Sequence, residues 1–176
     1  PMRTFSFTFL LISFLFSATI YVPGDYSTIQ LGINASNDGD TVLVSEGIYY
    51  ETLYLDKEIT LASNAIMDDM DENWSENMSI HQTIISASEE PANSSYGSCL
   101  VIEGGNINPT ILGFTFQDGA GTKMKKTACG IDINSRSGGA ILLYKAYPTI
   151  TYNRFINNAQ TFSAGTNNTG NSVNDG

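Results

Sequence analysis

The sequence predicts an all-β domain wound as a right-handed parallel β-helix, a solenoid with one short helix capping its N-terminal end. Three observations carry this expectation. β-Prone runs of three to five residues follow one another with no helical segment between them, an internal repeat recurs at a fixed spacing, and a helix-start signal stands just ahead of the first run.

Composition sets the outer limits. The chain has 176 residues, 41% of them hydrophobic and 15% charged, with 8 basic against 18 acidic side chains and a net charge of −10. That suffices for one packed domain and is too little charge for a disordered polyelectrolyte. A nucleic-acid binder is not expected, since phosphate is neutralised by Lys and Arg, and these are outnumbered more than two to one. Anionic membrane surfaces are disfavoured for the same reason. Two cysteines and a single histidine, His81, leave no room for a Cys/His zinc site.

The first 18 residues read as a segment apart from the fold. A basic start at Met2-Arg3 precedes an apolar run over residues 5–16 and the small pair Ser17-Ala18. This is the pattern of a secretory signal peptide. The rival reading, a membrane span, needs roughly 18 to 20 apolar residues, and the run has twelve before turn-forming Pro23-Gly24-Asp25. Removal of residues 1–18 leaves 7 basic and 18 acidic side chains, hence an acidic, exported protein of net charge −11 with no membrane span in the mature chain. A secreted or cell-surface location and a monomer are the expectations.

The elements follow in order. Ser27-Thr28-Ile29-Gln30 fits a capping box, with Ser27 and Gln30 exchanging hydrogen bonds and Tyr26 and Leu31 forming a hydrophobic staple. Gly32 weakens the helix and Asn37-Asp38-Gly39 stops it, so two turns over about 28–35 are expected. Strands are then predicted at 41–44, 53–55, 59–61, 83–85, 100–102, 110–116, 130–133, 140–143 and 149–155, with turns at Ser45-Glu46-Gly47 and Asp56-Lys57-Glu58. So many short strands without intervening helices exclude a doubly wound α/β fold and leave a β-sandwich or a β-solenoid.

The repeat separates these two. Pro109-Thr110-Ile111 recurs as Pro148-Thr149-Ile150 at an offset of 39, and the same offset relates Ile102 to Ile141, Phe116 to Phe155 and Gln117-Asp118-Gly119 to Ile156-Asn157-Asn158. Each copy spans about twenty residues, and Ala120 to Ser137 between them reads as an outward insertion. A unit this small cannot bury its own apolar face, so it must stack on copies of itself about 4.8 Å apart, with Ile, Leu, Val and Phe in ladders. A right-handed path follows from strand twist.

These residues carry a resemblance. The stretch from Tyr21 to Ser63, with Tyr-Ser-Thr-Ile-Gln, Gly-Asp-Thr-Val-Leu-Val, Gly-Ile-Tyr-Tyr-Glu and Ile-Thr-Leu-Ala-Ser, resembles the opening of right-handed parallel β-helix proteins of the pectin lyase-like superfamily, pectinesterases included. The later Asn-Pro-Thr-Ile-Leu-Gly-Phe-Thr-Phe-Gln-Asp-Gly, Gly138-Gly139-Ala140-Ile141 and Tyr-Pro-Thr-Ile are similar to repeat coils of secreted bacterial members and of polymorphic outer-membrane adhesins. The resemblance implies the fold more than an activity, since the superfamily holds lyases, hydrolases, esterases, epimerases and adhesins. The acid–base constellations of its enzymes find no counterpart here: Arg136 and Arg154 are the arginines of the mature chain, and neither stands in a matching motif. The low-complexity tail after Ala164-Gly165 begins where another coil is expected, so residues 19–176 read as the N-terminal part of a longer β-helix domain.

Four features bear on function. Asp69-x-Asp71-x-Asn73 has the alternate oxygen-ligand spacing of a calcium loop, yet Trp74 stands where Gly is expected and Ile80 where the closing Glu is, so a solvated acidic loop is the plainer reading. Cys99 and Cys129 either pair, as an exported chain permits, or serve as small apolar residues. His81 reads as a loop residue. Tyr144, Tyr147 and Tyr152, with Tyr49, Tyr50 and Tyr54 earlier, offer flat amphipathic rings for stacking on sugars, and are equally ordinary strand residues. Two functions remain: a non-catalytic surface module that binds polysaccharide or another surface, and the N-terminal portion of a polysaccharide-active enzyme, pectate lyase-like or pectinesterase-like, whose catalytic coils lie beyond Gly176.

Overall fold

The computed structural model describes residues 17–70, 73–88, 96–128 and 131–158. The proposed signal segment therefore lies almost wholly outside the described residues. Among the described residues, fourteen strands and two short α-helices occur in the order β1 (Thr19–Val22), α1 (Ile29–Ala35), β2 (Thr41–Val44), β3 (Gly47–Tyr50), β4 (Leu53–Leu55), β5 (Thr60–Ser63), α2 (Met78–Gln82), β6 (Thr83–Ser86), β7 (Leu100–Ile107), β8 (Thr110–Leu112), β9 (Thr115–Gln117), β10 (Thr122–Ala128), β11 (Ile131–Ser137), β12 (Ile141–Ala146), β13 (Thr149–Thr151) and β14 (Arg154–Ile156).

Three parallel sheets organise the chain. The first has the order β1-β2-β5-β8-β13, the second β14-β9-β6-β3 and the third β12-β7-β4. From β2 onward the chain visits first, second and third sheet in rotation, and the antiparallel pair β10–β11 is the one departure among the described residues. The all-β class and the parallel pairing expected from sequence hold.

The inward ladders explain why such short strands persist. Val42, Leu61, Ile111 and Ile150 are successive partners in the first sheet, Tyr49, Ile85, Phe116 and Phe155 in the second, and Leu55, Ile102 and Leu143 in the third. Residues of all three sheets and of α1 share one hydrophobic cluster, so each three-residue strand is stabilised by neighbours rather than by its own length. Phe116 and Phe155 stack with ring centroids 5.6 Å apart at 15°.

α1 connects β1 to β2, which are neighbours in the first sheet. Its buried residues are Ile29, Gly32 and Ile33, and a methyl group on Gly32 would meet Val22 and Val42 side chains at 3.1 Å, so glycine lets the helix lie close on the first sheet. The cap differs from the expected box. Thr28, not Ser27, is the N-cap, accepting from the Leu31 amide at 3.2 Å. Gln30 instead reaches β4, where its amide oxygen accepts from the Tyr54 amide at 2.7 Å and its nitrogen donates to the Tyr54 carbonyl at 3.0 Å. The remaining helix donors Ile29 and Gln30 are met by the Glu51 carboxylate at 2.9 and 3.0 Å. A carboxylate from the next turn outcompetes a local serine because one group satisfies two amides and favours the positive end of the helix. Tyr26 and Leu31, the expected staple, are exposed.

Other boundaries moved for identifiable reasons. The runs 110–116 and 149–155 each break in two, at Gly113 (φ 85°) and at Tyr152 (φ 54°), where the chain turns from the first sheet to the second. A side chain on Gly113 would also meet Ser63 Oγ at 2.5 Å, and that hydroxyl donates to the Gly113 carbonyl. Gly47, read as a turn, begins β3. Within the insertion 120–137, β10 and β11 pair antiparallel, so the strand expected at 130–133 is part of a longer one, Ile131–Ser137, and β10 is an addition to it. His81 lies in the last turn of α2, not in a loop.

The 39-residue offset holds for β8 with β13 and β9 with β14. It fails for Ile102 and Ile141: Ile141 pairs with Leu100 and Leu143 with Ile102, an offset of 41, and the offset returns to 39 where Ala146 pairs with Ile107. Two extra residues in Glu103–Ile107 are absorbed in a bulge next to Gly105 and Asn106, both at positive φ, opposite Lys145, also at positive φ.

Candidate functional site

The outward face of the third sheet carries a concavity. Tyr54 in β4, Val101 in β7 and Leu142 in β12 are lateral partners, and Glu103 in β7 partners Tyr144 in β12. Strand alternation turns these residues away from the ladder of Leu55, Ile102 and Leu143. β10 stands over this face, and Thr122, Lys123, Met124 and Lys125 form the opposite wall. With Tyr96 at one side, they enclose a cleft of about 320 Å³ whose floor is Val101 and Leu142. A second hollow of about 250 Å³, lined by Thr52, Leu53, Tyr54 and Tyr96, adjoins it through Tyr96.

The hairpin is anchored to the sheet by short polar contacts. Thr122 Oγ1 donates to Ser98 Oγ at 2.9 Å and accepts from the amides of Gly97 and Ser98 at 3.4 and 3.3 Å. Ser98 Oγ also bonds the Gly138 carbonyl, and the Arg136 guanidinium donates to the Gly121 carbonyl at 2.6 Å. Both ends of the hairpin are thereby tied beside β7, which holds β10 over the tyrosines.

Electrostatics within the cleft is mixed. Burial raises the Tyr54 phenol above its ordinary range, aided by the charges of Glu103 and Asp56. The Lys145 ammonium lies 5.2 Å from the centroid of the Tyr144 ring, within cation–π range. Aromatic faces, one carboxylate acceptor and two lysine ammonium groups suit a ligand with both apolar faces and polar edges.

The tyrosines singled out from sequence separate in space. Tyr144 lines the cleft and Tyr54 the adjoining hollow. Tyr147, 66% exposed in the turn after β12, lines neither. Tyr152 packs edge-on against Trp74, centroids 5.7 Å apart, at the corner between β13 and β14. Its role there is packing. Tyr96 and β10 were missed by the sequence reading: Tyr96 stands alone in a polar stretch, and the hairpin has no apolar alternation to mark it.

The acidic loop is accounted for in part. Asp69 and Asn73 are exposed, and Asp71 lies outside the described residues. Trp74 and Ile80, the positions that break the calcium pattern, are used in packing, Trp74 on Tyr152 and Ile80 fully buried in α2. Among the described residues no group of three or more acidic, His or Cys side chains is arranged to hold a metal. Cys99 is a free thiol, fully buried, with Sγ donating to the Gln117 carbonyl at 3.2 Å; Cys129, its proposed partner, lies outside the described residues. No helix among the described residues is long and apolar enough to cross a membrane.

Compared with protein-family models and with curated proteins, the chain matches none.

Proposed function

We propose that the chain is a right-handed parallel β-helix module of the pectin lyase-like kind, belonging to an exported or cell-surface protein, and that it binds polysaccharide along the outer face of its third sheet. The rotation of the chain through three parallel sheets around one hydrophobic cluster supports the architecture. The observation that carries the function is the cleft in which Tyr96 and Tyr144 stand beside an apolar floor of Val101 and Leu142, continued by Tyr54. Pyranose rings present C–H faces that pack on phenol rings and hydroxyl edges that bond to carboxylates and ammonium groups, and this cleft supplies both. The lining holds a single carboxylate, Glu103, which favours binding over hydrolysis by a carboxylate pair.

Affinity electrophoresis of the protein through gels containing individual plant, algal and bacterial polysaccharides tests the reading. Retardation by at least one of them is expected, weakened about tenfold in Tyr144→Ala, which corresponds to about 1.4 kcal/mol for one lost aromatic contact. Unretarded migration in every gel, or retardation unchanged in both Tyr144→Ala and Tyr96→Ala, overturns it.

A further inference from the structure

The first contacts of the folded chain gather on one carboxylate. Asp40, in the turn between α1 and β2, is 4% exposed. Each of its oxygens is held by a backbone amide, Oδ2 by the Asn37 N–H at 2.8 Å and Oδ1 by the Ala18 N–H at 2.8 Å. Those two bonds, Asn37 first and Ala18 second, keep the carboxyl below its ordinary range. The Lys57 ammonium adds to the effect from a distance, being itself bound to the carbonyls of Ile33, Asn34 and Ser36. Ala18 is fixed from its other side as well. Its carbonyl accepts from the Thr41 amide at 2.8 Å, and β1 begins at the next residue, where Thr19 partners Thr41. Ser17 and Ala18 are both exposed, and Ser17 contributes one exposed bond, its Oγ donating to the Gly39 carbonyl at 2.7 Å.

We infer that export processing cuts the bond between Ser17 and Ala18, and that the α-ammonium of Ala18 formed by the cut binds the Asp40 carboxylate. This rests on the exported reading above and ends the leader one residue before the place given by the sequence pattern. The local sequence does not separate the neighbouring bonds: Ser17 and Ala18 are both small, and Leu15 and Phe16, two residues before each, are both large. The fold does separate them. A cut after Ala18 takes away the donor to Asp40 Oδ1 and the acceptor of the Thr41 amide together, and any later cut also removes residues of β1. A cut before Ala18 keeps both contacts. In that hydrolysis water is consumed and the C–N bond breaks; the Ser17 carbonyl carbon takes the oxygen and leaves as a carboxylate, and the Ala18 nitrogen takes up protons as an ammonium. A nitrogen already 2.8 Å from Asp40 Oδ1 thereby changes from a neutral donor to a charged one, and a charge-assisted bond of this kind is roughly twice as strong. β1 is then held at its first residue by an ion pair that the unprocessed chain does not have.

The test has two arms. The whole chain from Met2 is expressed in a bacterial secretion host, and the amino terminus of the exported protein is read by Edman degradation and intact mass. Ala18 is expected as the first residue. Any other first residue overturns the inference and leaves export standing, whereas a chain that stays uncut inside the cell removes both. Stability gives a readout that does not depend on the host. The processed chain 18–176, with its free amino group, is compared with a form that keeps Phe16-Ser17 ahead of Ala18. At about pH 6, where an α-amino group is protonated, the processed form is expected to melt about 3 °C higher. That difference is expected to vanish in Asp40→Asn. It is also expected to vanish in the wild type as the pH is raised to about 10, because a contribution from a paired ammonium is whole below about pH 8 and is lost once the amine is neutral; this measurement decides the matter where Asp40→Asn does not fold. Equal melting of the two wild-type forms at the lower pH, or a difference that persists in Asp40→Asn or at the higher pH, overturns the inference.

Discussion

Asn153 and Asn158 show how single side chains replace backbone pairing at the corners. The Asn153 amide accepts from the Phe114 amide at 2.9 Å and donates to the carbonyls of Ile111 and Thr151 at 2.9 and 2.8 Å, while Asn158 accepts from the Gly119 amide at 2.8 Å and donates to the Phe116 carbonyl at 2.9 Å. Both bridge positions about 40 residues apart, where the turn between sheets leaves backbone groups without strand partners. That Asn153 is the buried one was not legible in the sequence, because burial depends on the corner at Tyr152. Burial also changes the chemistry of Cys99. Desolvation pushes its thiol up to about 11 from 9.0, against hydrogen bonds that pull the other way. The folded form thus keeps the proton that the unfolded chain releases, so its contribution to stability is whole below pH 9 and is lost as pH rises through 11. Urea unfolding at pH 7 and pH 11 is expected to show a loss of about 2 kcal/mol in the wild type beyond that in Cys99→Val; equal losses in the two proteins refute the assignment.

Among the elements, α1 shows most plainly how local signals yield to tertiary partners. A helix at this place was readable from Ser27-Thr28, Gly32 and the Asn37-Asp38-Gly39 stop, and its extent agrees to within a residue. Its caps were not, since the partners come from elsewhere: Glu51 at the N-terminus and, at the C-terminus, Lys57, whose ammonium donates to the carbonyls of Ile33, Asn34 and Ser36 at 2.8, 2.8 and 2.6 Å. These contacts hold α1 against the turns flanking β4. Glu51→Ala leaves the Ile29 and Gln30 amides without acceptors and is expected to cost about 2 kcal/mol, with Glu51→Gln losing about half as much. Chemical denaturation reads the difference, and an unchanged midpoint in Glu51→Ala removes the role assigned to the carboxylate. The β7–β12 pair makes the same point for strands. Equal spacing in the sequence paired Ile102 with Ile141, yet the bulge at Gly105-Asn106 slides the register by two residues, and a shift of two keeps the same face inward.

For the molecule as a whole, the hairpin and the parallel sheets are separable. Thr122 and Ser137 are register partners at the base of β10 and β11, so residues 123–136 can be replaced by Asn-Gly, which closes a tight turn between them. The shortened protein is expected to keep its far-UV spectrum and to melt within about 5 °C of the parent, while losing the retardation by polysaccharide proposed above. A large drop in melting temperature would mean that the hairpin is part of the core rather than a wall built on it.

The order of short apolar runs determined the all-β class, and the Pro-Thr-Ile repeat determined that the strands pair in parallel with their copies, because a three-residue strand has no other way to bury its inward side chains. Only the tertiary structure decided which tyrosines share a face. Tyr144, Tyr147 and Tyr152 lie within nine residues of one another, but the chain turns a corner after β12 and again after β13, so one enters the cleft, one faces solvent and one packs on Trp74. Tyr54 comes beside Val101 and Leu142 from far earlier in the chain, since lateral pairing between successive strands, not proximity in sequence, sets neighbours on a parallel sheet.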